Sequence, residues 1–136
     1  MKKIPTTIEQ PLRIAQLNRN VFTNKSHKIG LPSSEGLFIK RIEDIVSVEA
    51  KGNYTYFKFK EGKALLVSKT LQEVQSILQH NTLFVRTHRS FIVNIDTIIQ
   101  YKKGKKAYLI LENEQIIVVS EAKKAKLNAK LAEWLA

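Results

Sequence analysis

The chain has 136 residues and a formal charge of +11, from 23 Lys plus Arg against 12 Asp plus Glu. That length suits one domain with a real core, and the lack of cysteine excludes a disulfide framework, a thiol nucleophile and a cysteine-based zinc site. No apolar run approaches the roughly 18 residues that span a bilayer, and the basic start "MKKIPTTIEQPLRIAQ" has no signal-peptide core, so a cytoplasmic protein without a membrane partner is expected.

Residues 1 to about 27 show no clean periodicity, and Pro5 and Pro11 interrupt any helix. This stretch is expected to be an arm or extension, with one domain over 28–136. From Lys28 the pattern turns strand-like. "HKIGLP" and "LFIKR" flank the polar turn "SSEG". In "DIVSVEA" the alternation predicts Val46, Val48 and Ala50 on one face, with Ser47 and Glu49 on the other. A turn at "KGN" leads into "YTYFKFK", where Phe57 and Phe59 alternate with Lys58 and Lys60, and "EGKALLVS" closes a further hairpin.

The first helix is predicted in "TLQEVQSIL". Thr70 and Glu73 have capping-box spacing, and Leu71, Val74 and Leu78 share one face. Strands resume at "TIIQY", "AYLIL" and "QIIVVS", with "KKGKK" at a hairpin tip. Ser120 is then expected to cap a last helix with the apolar stripe Leu127, Leu131, Trp134 and Leu135. Beside that stripe run Lys123, Lys126 and Lys130. For Lys130 the expected role is a solvated helix edge, whereas cations at the helix start sit beside backbone N–H groups that attract phosphate.

One segment between the two helices poses a problem. "FVRTHRSFIVN" sets Arg86, His88 and Arg89 among apolar residues that should be buried. An unpaired buried charge is strongly disfavoured. Either these cations meet buried carboxylates, or the segment surfaces to offer them to an anion. The positive balance favours the second alternative and makes nucleic acid the natural partner. The plainer reading is that the chain is basic for solubility alone.

The pieces "IEDIVSVEAKGNYTYFKF", "SKTLQEV", "FVRTHRSFIVN" and "IIVVS", in this order, resemble the LytTR family of bacterial DNA-binding domains. The resemblance runs from about Lys28 to Trp134. It implies a mostly β fold of short antiparallel sheets, with one internal and one C-terminal helix, that reads duplex DNA with loops. It further implies that the segment around "HRS" faces the duplex while its apolar flanks anchor it. Arg89 is then the first candidate for a base contact, since a guanidinium can bond guanine O6 and N7 together. Arg86, His88 and Ser90 are candidates for phosphate contact or loop support, with packing set evenly against contact for His88.

In "KGN" the resemblance makes Asn53 a base reader, because an amide can pair with adenine, and Lys51 a phosphate candidate; good turn chemistry alone also explains Gly52-Asn53. The third element is the start of the last helix. Relatives often carry arginine just after the serine, whereas this chain has Glu121 and Ala122, with Lys123 as the base-contact candidate and Lys124 as backbone or loop support. Many relatives are response regulators with a phosphorylated receiver domain. Residues 1–27 are too few for one, so control is expected from a partner, abundance, a ligand or a longer protein.

Other classes have less support. His88 with Asp96 has neither nucleophile nor metal-ligand spacing beside it, and histidines at 27, 80 and 88 do not form a metal motif. No catalysis, metal or cofactor is expected. RNA binding through Tyr54 and Tyr56 is an alternative without an RNP or GXXG signature. A protein-partner module of the same fold, with DNA binding weakened at Glu121 and Ala122, is another. No coiled coil or long exposed apolar face is evident, so the free chain is expected to be a monomer, with room for two copies on neighbouring DNA repeats.

Overall fold

Turn residues at short intervals leave the chain no length for long strands, and most hairpins close locally. In the computed structural model, which describes residues 27–136, these runs become β1 (Lys28–Ser33), β2 (Gly36–Arg41), β3 (Ile45–Lys51), β4 (Tyr54–Phe59), β5 (Leu65–Val67), β6 (Phe84–His88), β7 (Phe91–Asn94), β8 (Ile98–Lys102), β9 (Tyr108–Leu111) and β10 (Ile116–Val118). Helix α1 spans Leu71–Leu78 and α2 spans Lys124–Leu135. Apart from His27, the expected arm lies outside the described residues.

All strand pairs are antiparallel. β1 and β2 form a hairpin, β10-β9-β8 a small sheet, and β5-β4-β3-β7-β6 the central sheet. Over the described residues the fold is therefore mostly β, with one internal and one C-terminal α-helix, as expected from the sequence. The central sheet is covered on both faces. On one side Ile45, Val48, Phe57 and Ile92 pack with Ile29 and Leu31 of β1 and with Leu71, Val74 and Leu78 of α1. On the other, Val46, Val85 and Val93 pack with Leu109, Leu111 and Ile117 of the small sheet and with Leu127 of α2. Neighbouring apolar residues such as Phe84 and Val85, or Ile92 and Val93, thus serve opposite cores.

The predicted alternation in β3 fails at one point. The β3–β4 register shifts between Ile45 and Ser47. A bulge inserts one residue and re-aims the side chains beside it. Val46 consequently joins the second core, while Val48 and Ala50 face the first. Ser47 is buried and donates its hydroxyl to Gln115 Oε1 at 2.7 Å, tying the bulge to the small sheet.

The capping box forms as the spacing predicts. Thr70 N–H donates to Glu73 Oε1 at 2.8 Å, and Glu73 N–H donates to the Thr70 hydroxyl at 3.2 Å. The Thr70 backbone N–H first, and its hydroxyl second, hold the Glu73 carboxyl below its ordinary value. Such a cap contributes about 1 kcal/mol. Ser120 behaves differently from the prediction: its side chain makes no cap bond. Its N–H goes instead to Thr87 O at 2.9 Å, its carbonyl accepts from Lys123 N–H at 3.0 Å, and a 3-10 turn over Glu121–Lys123 precedes α2. The serine works through its backbone, and α2 starts at Lys124 without a side-chain cap.

Candidate nucleic-acid interface

Hydrogen bonds place the three predicted contact regions side by side at one end of the central sheet. The β3–β4 turn and the β6–β7 turn meet where Ala50 N–H donates to Ser90 O at 2.9 Å. The approach to α2 joins them through the Ser120–Thr87 bond. Asn53, Arg89 and Lys123, separated by dozens of residues in the chain, are thereby carried on adjoining loops.

The β3–β4 turn has two residues, since Lys51 pairs with Tyr54. Gly52 takes φ +61, in the left-handed region that a tight hairpin turn demands. Asn53 is exposed. Lys51 lies 3.6 Å from Glu49 Oε2, with its ammonium 5.9 Å from the centre of the Tyr56 ring, and its side chain is half exposed. Tyr54 is exposed and Tyr56 half-buried, so the two rings do not form one open stacking platform.

The β6–β7 turn explains how an apolar segment carries two arginines. A second bulge shifts the register between Arg86 and His88, and His88 then pairs with Phe91, leaving Arg89 and Ser90 as the turn. Arg86 meets no carboxylate and, half-buried, turns its guanidinium onto the loop itself. Its Nε donates to His88 O at 2.9 Å, one terminal nitrogen donates to Arg89 O, and the other donates to Gln75 Oε1 of α1. Burial lowers the Arg86 pKa from its ordinary value, yet a guanidinium stays charged in proteins. The five-donor fork suits this work, which a lysine's point charge cannot copy.

His88 braces the same turn. Its Nδ1 accepts from Ser90 N–H at 3.0 Å, which puts the proton of a neutral ring on Nε2, and the ring packs edge-on against Phe91. Ser90 is half-buried, and its hydroxyl makes no hydrogen bond among the described residues. Arg89 is exposed, on a backbone whose carbonyl Arg86 holds.

At the third region Lys123 is half-buried and precedes the first turn of α2. Lys124 turns away from solvent. Its ammonium donates to Gly104 O at 2.7 Å and pairs with Glu121 Oε1 at 2.8 Å. Lys124 therefore joins the helix start to the β8–β9 tip.

Two parts of this arrangement were not singled out from sequence. Gln75, on the helix face beside the core stripe, orients Arg86. Asn94 is fully buried and donates its amide to Ile45 O at 2.8 Å and Glu43 O at 3.3 Å, while its Oδ1 accepts from Asp96 N–H at 2.9 Å. The only available signal was an asparagine closing an apolar strand.

Among the described residues no cluster of acidic, histidine or cysteine side chains could hold a metal ion. No described helix is long and apolar enough to cross a membrane. What the fold and loops define is a basic β domain with a braced, cation-bearing edge. The LytTr DNA-binding domain model matches residues 35–132, and the chain belongs to that family. Among solved structures, it is similar to the LytTr DNA-binding domain of a Bacillus cereus protein described as a methyl-accepting/DNA response regulator. The two share 26% identity with a TM-score of 0.67, over 79% of this chain and 98% of that one. No match was found among curated proteins.

Proposed function

We propose that residues 28–136 form the sequence-specific duplex-binding domain of a bacterial transcriptional regulator, reading the major groove with the loops of Asn53, Arg89 and Lys123. One observation carries this reading: Arg86 spends its guanidinium on the carbonyls of the turn, so Arg89 stands free on a fixed backbone. A side chain presented by a rigid loop loses less entropy when it forms a bidentate base contact. Lys51 and the Ser90 hydroxyl then serve phosphates, which set register without reading sequence. His88 and Lys124 support the loops through the bonds they already make.

Selection from random duplexes should return one preferred sequence, longer than a helical turn because adjoining loops reach successive groove segments. Its affinity should fall with salt on a log–log slope of about −0.9 per phosphate neutralised. RNA of the same sequence should bind weakly. Uniform footprints on every duplex, or a flat salt response, would overturn the proposal.

A second reading, a protein-partner module with weakened DNA binding, draws on Glu121, which is exposed and neutralises Lys124 beside Ala122. The same selection separates the two readings, since such a module would enrich no sequence.

The free protein is proposed to be a monomer, with pairing left to neighbouring repeats on DNA. Sedimentation at micromolar concentration should give a single species near 15.6 kDa. A tight dimer without DNA refutes this, and directs attention to the exposed apolar side chains of Ile99, Trp134 and Leu135.

A further inference from the structure

The β8–β9 hairpin tip holds Lys102, Lys103, Lys105 and Lys106 around Gly104, and all five residues are exposed. None of these lysines is ion-paired to a described residue, unlike Lys51 with Glu49 and Lys124 with Glu121. A loop tip of this kind is ordinarily read as a solvated turn. Here it is fixed at both ends. At its base Val119 N–H donates to Ala107 O at 3.0 Å, with Ala107 buried in the second core. At its crown Lys124 donates to Gly104 O at 2.7 Å and Lys105 O at 3.4 Å. The residue that clamps a cluster of lysines is itself a lysine. Lys124 is neutralised by Glu121, but the four tip lysines have no matching carboxylate; they repel one another, and an external anion relieves that repulsion.

The clamp also decides where the tip lies. Lys124 opens α2 next to Lys123, whose N–H bonds Ser120 O while Ser120 N–H bonds Thr87 O of β6, so the tip flanks the proposed reading surface. We propose that the Lys102–Lys106 tip is a fourth DNA-binding element, which follows the phosphate backbone beyond the segment that the three loops read. The inference rests on the duplex-binding function proposed above. Lysine ammonium groups are point charges that suit phosphate oxygens and lack the planar fork used on base edges. The rings beside the tip, Tyr101 under Lys103 and Tyr108 opposite Lys102, are both half-buried, which argues against stacking of unpaired bases.

The test compares two charge-matched variants of the full chain on the selected duplex. One carries Lys103→Gln, Lys105→Gln and Lys106→Gln. The other carries Lys58→Gln, Lys60→Gln and Lys63→Gln, at the far end of β4, roughly 20 Å from the Asn53 turn at 3.3 Å per residue. The tip variant should select the same sequence but lose about 2–3 units of salt slope, at about 0.9 per phosphate contact. Its footprint should shorten on one flank. The control should keep both slope and footprint. If the two variants behave alike, the tip is a solvated turn and the inference fails while duplex binding stands. If the unsubstituted chain does not bind duplex, both proposals fall, and that is visible before any variant is made.

Discussion

Arg89→Ala should lower affinity for the best duplex site by about 1–3 kcal/mol and relax preference at one base position. Affinity for random duplex should change far less, because base contacts add to a phosphate term that every sequence shares. The fold should survive, since Arg89 is exposed and its structural contribution is a backbone carbonyl, which alanine retains. Lys51→Ala is the counterpart. If its ammonium serves a phosphate, all sequences should weaken about equally and the salt slope should drop by about one unit. The Glu49 contact beside it is half exposed, and such a pair contributes little to stability. Titrations of both variants on specific and random duplexes, with thermal melts alongside, check each part. An Arg89→Ala protein that melts early and loses both kinds of binding together would make Arg89 a structural cation, and the loop would not be a reader.

Much of this architecture was legible because its causes are local. The Thr70–Glu73 box needs only a three-residue spacing, and the Gly52 turn needs only a residue that accepts positive φ. The family pattern supplied the rest of the topology. The misreadings share a different cause. Strict alternation predicts a flat strand, and the bulge that sends Val46 to the second core depends on packing against a sheet formed more than fifty residues later. Ser120 has the residue type of a helix cap, but its N–H is drawn to Thr87 and the chain takes a tighter turn first. Arg86 and Arg89 are indistinguishable as letters. Their separation into brace and exposed tip requires the bulge before His88 and a glutamine on a helix that precedes the strand. The choice first posed, carboxylate partner or exposure, omitted the option Arg86 takes, which is to bind carbonyls.

Asn94→Ala should be the most damaging polar-to-apolar change in the "FVRTHRSFIVN" segment, with a cost of about 2–4 kcal/mol in folding. The amide closes the end of β7 against the start of β3, where the bulge disturbs the ladder. It serves the Ile45 and Glu43 carbonyls and takes the Asp96 N–H. Alanine would leave the Ile45 carbonyl buried without this donor, at about 1–3 kcal/mol for one such group, and would open a small void beside it. Asn94→Asp should be worse despite its equal size, because a carboxylate cannot donate to carbonyls, and both keeping it charged and protonating it in a fully buried position cost free energy. Urea unfolding should show both midpoints lowered at an unchanged m-value, with aspartate below alanine. Folded Asn94→Ala should still select the wild-type sequence with the wild-type salt slope, because the side chain lies inside the domain and its effect on the turn is only through stability. A variant with an unmoved urea midpoint and lost sequence preference would mean the opposite: Asn94 would then belong to the interface, and the division of this segment into a reading turn and a structural strand end would have to be redrawn.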